Sequence, residues 1–488
     1  MIKVIIHFRL IFHLCTLKLQ YAGMKKVIIE PFKIKTVEPL FITTPEEREN
    51  YLKEAHYNPF LLKSDHVLFD FLTDSGTSAM SSAQWAALMD ADESYAGARS
   101  WEHLRDSIFN LTGFPHILPT HQGRAAERIL YGYLGGKGKT FISNTHFDTT
   151  RANIEFSGAE AIDCLIPEGS DPFIEHPFKG NMDTKELERL IMEKGQKNIG
   201  AVILTVTNNS GGGQPVSMKN ARKAKEICRR HGVLFILDCC RIAENSYFVK
   251  HREKEFDHTS YFDIAKEMFS LADGCIMSAK KDGLVNMGGF LALRDKKLAD
   301  ACINLLIITE GFTTYGGLSG RDMEALAVGL KEVFSPGYLT YRIKSTTYLG
   351  EKIREKGVPV MMPIGGHAVY IDAKTLYPHI PVHEYPGQAL VCELYRKGGI
   401  RSVEIGSVMF GKYDEKGKLI PAKMELVRLA VPRRVYTQSH IDYVIEIFEE
   451  IVKDKNSVRG YKITEEPPFL RHFTARFEPV DLFQNIHL

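Results

Sequence analysis

The hydrophobic pattern changes rhythm along the chain, and from about residue 180 it alternates between helix-period and strand-period segments. Leu187, Leu190 and Ile191 fall on one helical face behind Asp183 and Glu186, whose spacing predicts a capping box; Gly195 predicts the stop. Ala201–Thr207 is a continuous β-rich run, the pattern of a strand buried on both faces. Ser217 predicts the cap of a helix running to Arg230 and ended by Gly232. Val233–Asp238, Gly274–Ser278 and Gly289–Leu293 predict further strands. This alternation predicts a parallel α/β sheet with right-handed crossovers, in which ligands sit beyond the carboxyl ends of the strands. After about residue 335 long helical patterns alternate with short strands at His367–Ile371 and Glu425–Ala430, predicting a smaller α+β domain.

The expected organisation is therefore a large domain over 76–335 and a small C-terminal domain over 336–488, with 24–75 joining the small domain. Val4–Leu19 is apolar but interrupted by His7, Arg9, His13 and Lys18, which makes it a poor secretory segment. Residues 1–23 are expected to be an over-extended start or a disordered arm outside the fold.

Composition adds exclusions. The 488 residues are long enough for two domains, and 44% hydrophobic with 25% charged residues is ordinary for a soluble globular protein. A net charge of +2, from 62 basic and 60 acidic residues, gives no reason to expect nucleic acid or a membrane surface as partner. No apolar run reaches bilayer length. The 8 cysteines show no metal-type spacing and read as reduced, cytoplasmic thiols.

The candidate chemistry lies at two consecutive strand ends. One run closes on Asp238-Cys-Cys-Arg241, the next on Ser278-Ala-Lys-Lys281. A strand ending in Asp is common, and a Lys-Lys pair alone is usually a solvated surface feature. Together they suit pyridoxal 5′-phosphate, which needs a lysine for a Schiff base, an acid for its pyridinium nitrogen and donors for its phosphate. Lys281, Asp238 and Ser278 take those roles in order. Thr120-His-Gln-Gly-Arg124 leads into a helical stretch, where backbone N–H groups of Gln122, Gly123 and Arg124 would cradle a dianion. Asn208–Pro215 is glycine-rich without a nucleotide-loop ending; Asn209 would donate to the cofactor phenolate oxygen or a substrate carboxylate. Arg241 is a second candidate for the phenolate oxygen, and Phe147 for the pyridine face. An α-carboxylate calls for a guanidinium fork, with Arg428, Arg433 and Arg434 as candidates, each equally readable as a surface charge when taken singly.

With those residues in place, the chain resembles the β-eliminating lyases, the family of tryptophanases and tyrosine phenol-lyases. The resemblance runs from about Glu30 to Phe477. It is carried by Leu72-Thr-Asp-Ser-Gly-Thr77, Asp92-Glu-Ser-Tyr-Ala-Gly97, Thr120-His-Gln-Gly-Arg124, Gly212-Gly-Gln-Pro-Val-Ser217, Ser278-Ala-Lys-Lys-Asp282, Tyr315-Gly-Gly-Leu318, Gly365-Gly-His-Ala368 and His472-Phe-Thr-Ala-Arg476. It implies a fold-type I pyridoxal-phosphate-dependent large domain with a mainly parallel sheet, plus a smaller α+β domain. It also implies a cytoplasmic homotetramer activated by potassium.

By that resemblance Lys281 also removes the substrate α-proton, and Lys280 sits beside it near the phosphate. Thr73, Ser75 and Arg428 would hold the substrate carboxylate. Tyr95 would reach the active site of a neighbouring subunit, with an acid role. The monovalent cation would take carbonyls of Gly76 and Asn286 and the carboxylate of Glu93; oxygen-only ligands suit a hard cation.

Three positions separate the two activities. Tyrosine phenol-lyases resemble one another in having Thr at position 148, Arg at 405 and Phe at 472, whereas Asp148, Ile405 and His472 of this chain are similar to tryptophanases. The chemistry agrees. A phenolic leaving group needs a partner for its oxygen, which Ile405 does not offer. Indole has a broad apolar face and must be protonated at a ring carbon before it leaves, so a placed acid is needed. The resemblance thus implies α,β-elimination of L-tryptophan to indole, pyruvate and ammonia. The neighbouring readings are tyrosine phenol-lyase, a cysteine or S-alkylcysteine β-lyase, and a catalytically dead scaffold. Ala125 stands where the family has a glycine, and Cys239-Cys240 where small residues are usual; paired thiols there are expected to sensitise the protein to oxidation.

Overall fold

The computed structural model describes residues 29–480; the expectation for residues 1–23 lies outside them. A seven-stranded sheet forms the centre of the larger half. Its strands are β1 (His116–Thr120), β2 (Thr140–Ser143), β3 (Glu160–Asp163), β4 (Ile199–Thr205), β5 (Phe235–Asp238), β6 (Gly274–Ser278) and β7 (Gly289–Leu293). Their order is β1-β7-β6-β5-β4-β2-β3. All neighbours pair in parallel except β7, which runs antiparallel to both β6 and β1. The sheet is mainly parallel, as expected, with this one antiparallel strand. A parallel return needs a crossover of about a dozen residues or more, and the 279–288 connection is too short for it.

Helices cover both faces. α1 (Gly123–Leu134) presents Ala126, Ile129 and Leu130 to one core, with Ile203, Ile236 and Leu291 from the sheet. On the other face α3 (Thr184–Lys194) and α4 (Met218–His231) bury Leu187, Leu190, Ala224 and Ile227. Asp183 caps α3 by accepting from the N–H groups of Lys185 and Glu186, so it is a one-sided cap and not the reciprocal box its spacing predicts. β4 stops at Thr205, two residues before the predicted end. There the chain leaves the ladder through Thr207, at φ +57°, into the turn that carries Asn209.

A second core gathers around the three-stranded antiparallel sheet β9-β10-β8, formed by β8 (Ala368–Asp372), β9 (Val403–Ile405) and β10 (Leu426–Ala430). Leu52, Leu62, Leu68 and Phe71 pack into this core, and Phe69–Asp70 pairs in parallel with Ile400–Arg401. α5 (Pro336–Glu355) spans both cores: Leu339 and Ile343 pack with the large sheet's helices, Leu349 and Ile353 with the smaller half. Among the described residues no helix is long and apolar enough to cross a membrane.

A buried ion network ties the parts together. Asp74 bonds Arg241 through Nε at 2.9 Å and Nη2 at 2.6 Å, and Arg433 Nη1 at 2.8 Å. Arg433 reaches on to Glu244 at 3.0 Å and Asp282 at 3.1 Å, and Arg342 joins at Glu244, 3.0 Å away. Burial opposes the Asp74 charge, but Arg241 and Arg433 hold its carboxyl well below the ordinary range. Removing one partner strands the others without solvent. Arg433→Met is therefore expected to cost about 3–5 kcal/mol, read as a lower urea-unfolding midpoint; an unchanged midpoint would mean the network is not structural.

Candidate active site

The strand register places the site. Thr205 lies beside Asp238, Asp238 beside Ile276, and Ser278 and Thr120 both beside Gly289. The carboxyl ends of β1, β6, β5 and β4 therefore share one rim. Beyond it lies a cavity of about 270 Å³, closed from the other half by Arg428, Val403, Met409 and His472.

Gln122 is the N-cap of α1, whose first turn points at the rim. Glycines allow this approach. A Cβ on Gly123 would lie 2.5 Å from Ser278 Cβ, and one on Gly289 2.6 Å from the Gln122 carbonyl carbon. Cations surround the helix start: Arg124, Lys280 and Lys281 all line the cavity. Burial, and then the charges of Lys281 and Arg124, push the Lys280 ammonium below its ordinary range. Crowded cations at a helix N-terminus fit a dianionic phosphate. Asp238 lines the same cavity from the adjacent strand end, and Phe147, the N-cap of α2 (Asp148–Phe156), lines it too. The donor set fits pyridoxal phosphate.

Asn209 is oriented by its neighbours. Its Oδ1 accepts from Arg428 Nη1 at 2.8 Å and lies 2.8 Å from His367 Nε2, while Tyr370 donates to its backbone carbonyl. Burial, then the nearby arginines Arg241 and Arg428, hold the His367 imidazole neutral, so its Nε2–H is the donor. The Asn209 side chain thus offers its amide N–H groups to a ligand. Arg241 lines the cavity while two of its nitrogens hold Asp74.

Of the three candidate arginines only Arg428 lines the cavity. Its Nη2 donates to the Leu72 carbonyl at 2.8 Å, and its buried Nε has no partner. Arg433 is fully buried in the ion network and Arg434 pairs with Glu332. Thr73 and Ser75 line the cavity beside Arg428, with Ser75 N–H donating to Thr73 Oγ1 at 3.1 Å.

Asp148 Oδ2 also lies 3.0 Å from His472 Nε2, both buried, without hydrogen-bond alignment. Phe60 meets the His472 ring at 5.7 Å. Ile405 stands one step outside the first cavity. It lines a wider adjoining space of about 980 Å³ that shares Arg124, Asp148 and Met409 with the first.

Four predicted residues, Tyr95, Glu93, Gly76 and Asn286, do not line this cavity. Tyr95 is 74% exposed and packs on Tyr315 and Phe312. Glu93 accepts from Gly320 N at 2.9 Å and Arg321 Nε at 3.1 Å, and no hydrogen bond joins it to Gly76 or Asn286. Asn286 and Gly76 do meet, Nδ2 donating to the Gly76 carbonyl at 2.9 Å. Cys239 is buried and Cys240 half-buried, Cys240 Sγ accepting from Ser278 N at 3.2 Å, and burial pushes both thiols above the ordinary range. A raised thiol disfavours the reactive thiolate, which weighs against the expected oxidation sensitivity.

Sequence reasoning passed over Glu127. It lies one helical turn from Gly123, lines the cavity and accepts from Thr149, Thr150 and Asn153. Burial, and then the nearby Asp238, push it to about 7 against the Thr150 bond. The i, i+4 spacing from Gly123 was the available signal.

The chain is similar to known proteins. Residues 70–447 match the β-eliminating lyase family. The tryptophanase of Salinibacter ruber is 58% identical over 93% of this chain and 96% of its own length. The tryptophanase of Hyphomonas neptunium is 54% identical over 93% and 99%. The tyrosine phenol-lyase of Pasteurella multocida is 47% identical over 93% and 100%. Among solved structures, Sphingomonas wittichii serine palmitoyltransferase superposes with a TM-score of 0.54 at 13% identity, over 85% of this chain and 97% of that one, a likeness of fold. The large half is thus of the fold-type I class, and the chain belongs to the β-eliminating lyase family.

Proposed function

We propose that the protein catalyses pyridoxal-phosphate-dependent α,β-elimination of L-tryptophan to indole, pyruvate and ammonia, as a carbon–carbon lyase. The observation that carries this reading is the 3.0 Å contact between Asp148 and His472, which line one cavity with Arg428 and Met409 and adjoin the space lined by Ile405. Bound at Lys281, the cofactor supplies an electron sink conjugated to the substrate Cα. Arg124, Lys280, Ser278 and the N–H groups of Gln122 and Gly123 hold its phosphate. Asp238 keeps the ring nitrogen protonated, Arg241 and Asn209 serve the phenolate oxygen, and Phe147 covers the ring face. Arg428, with Thr73 and Ser75, fixes the substrate carboxylate. Lys281, once displaced from the cofactor by the substrate's amino group, would take the α-proton. Asp148 accepts the indole N–H, His472 positions Asp148, and Ile405 and Met409 cover the ring.

Tyr95 and Glu93 share one segment away from their own cavity, which supports a homotetramer whose sites are shared between subunits. In it Tyr95 acts as the acid that protonates the indole carbon. Glu93, with the Gly76 and Asn286 carbonyls, holds potassium. We read the large unit as 76–335 and the small one as 336–488, with 24–75 joining the latter. The free, mostly buried thiols support a cytoplasmic setting, and the +2 charge supports no nucleic-acid or membrane partner. His472→Ala tests the leaving-group reading. We expect kcat/KM for L-tryptophan to fall about 100-fold while S-alkylcysteine turnover stays within about threefold. Equal losses on both substrates would remove His472 from leaving-group chemistry.

A further inference from the structure

Behind the leaving-group side of the cavity lie two carboxyl groups that the elimination chemistry does not use. Glu404 sits between Val403 and Ile405 on β9, on the face opposite theirs. Its Oε1 accepts from Val408 N at 3.0 Å and its Oε2 from Met409 N at 3.0 Å. Glu425, just before β10, accepts from Ser407 N at 3.2 Å and from Ser407 Oγ. Both are buried. A Cβ on Gly406 would lie 2.6 Å from Glu404 Oε1 and 2.6 Å from Glu425 Oε2, so the two groups face each other across a residue without a side chain. Neither lies within ion-pair distance of a cation among the described residues.

The donors belong to one short element, α6 (Ser407–Phe410). Its carbonyls are held from the other side by Arg471, which donates to Val408 O at 2.7 Å and Gly411 O at 2.9 Å and precedes His472 in the chain. Met409 of α6 lines both the cavity and the adjoining space. The carboxyl pair thus anchors the wall against which the leaving group rests.

We propose that Glu404 and Glu425 are positioning residues that share a proton, and that this shared proton holds α6, with Met409, against the leaving group. Two ionised carboxylates so placed would repel and push the α6 anchor apart. Burial pushes both groups up, Glu404 to about 8 with Glu425 adding to the shift, and Glu425 to about 7 against the Ser407 donors. Lys374 and Asp372, at the end of β8, act on Glu425 in opposite senses, and Arg471 faces the carbonyl side of α6. Carboxyls raised in the folded state stabilise it fully at pH below their unfolded range, and that contribution is lost as pH rises through about 7 to 8.

The test compares the parent with Glu425→Gln, which removes one of the two ionisable groups while its amide oxygen can still accept from Ser407 N. Glu404→Gln is the second variant in case the first fails to fold. For the parent, the ratio of kcat/KM on L-tryptophan to that on S-methylcysteine should fall about tenfold from pH 7 to pH 9, and the thermal midpoint should fall with it. In the variants the ratio should be nearly flat over that range, and the midpoint should fall less than the parent's, Glu127 still titrating there. A parent ratio and midpoint that do not move, or variants that keep the parent profile, overturn the proposal. The substrate comparison rests on the elimination reading, whereas the midpoint comparison does not. A parent that turns over neither amino acid refutes that reading, and the midpoints then decide the carboxyl pair alone.

Discussion

Lys281→Ala is expected to abolish turnover, with kcat down by about 10⁴-fold or more, because one amine does two jobs. On the proposed reading it anchors the cofactor and takes the α-proton, and it lines the cavity. Lys280 does not replace it. Its side chain runs under Gly76, where a Cβ would meet Lys280 Cε at 2.7 Å, so it is held toward the phosphate end. The fold should survive, since Lys281 bears no buried ion pair and the loop is anchored at Asp282, which accepts from Ala243 N at 2.7 Å. Circular dichroism and pyruvate release measured on the same sample check both statements. Pyruvate production within about tenfold of the parent would assign the base to another group.

Asp238→Ala is the second large effect. The carboxylate stands at the end of β5, in register with Thr205 and Ile276, so a rigid strand places it. A charge-assisted bond to a ring nitrogen contributes about 1.5–3 kcal/mol, so cofactor affinity should weaken about 10–100-fold. The effect on kcat should be larger, about 10³-fold, because an unprotonated ring is a poor electron sink. Titration with pyridoxal phosphate followed by saturating-cofactor kinetics separates the two. A variant that binds weakly but turns over normally when saturated would contradict the electron-sink role.

Much of the site was legible because strand ends are legible. Asp238, Ser278 and Lys281 each close or follow an apolar run, and a parallel sheet aligns such ends. Strand direction was less so, since a strand buried on both faces has the same pattern either way. Only the shortness of 279–288 betrayed the antiparallel β7. Three arginines near β10 looked alike in sequence, and tertiary pairing separated them: Arg433 and Arg434 found carboxylates, leaving Arg428 with a free Nε. Glu127 and Glu404 were missed for the opposite reason. A glutamate on a helix or in strand alternation reads as solvent-facing, and only the packing of Thr149, Thr150 and α6 turns these two inward. Tyr95 and Glu93 were legible only through the family resemblance of the Asp92–Gly97 block.

The central claim is tested most directly by product analysis. Purified protein with pyridoxal phosphate and potassium is given L-tryptophan and L-tyrosine separately, and indole, phenol and pyruvate are quantified. The account predicts indole and pyruvate in equal amounts from tryptophan, with little phenol from tyrosine. Phenol as the main product would contradict it, because Asp148, Ile405 and His472 would then not set the leaving group.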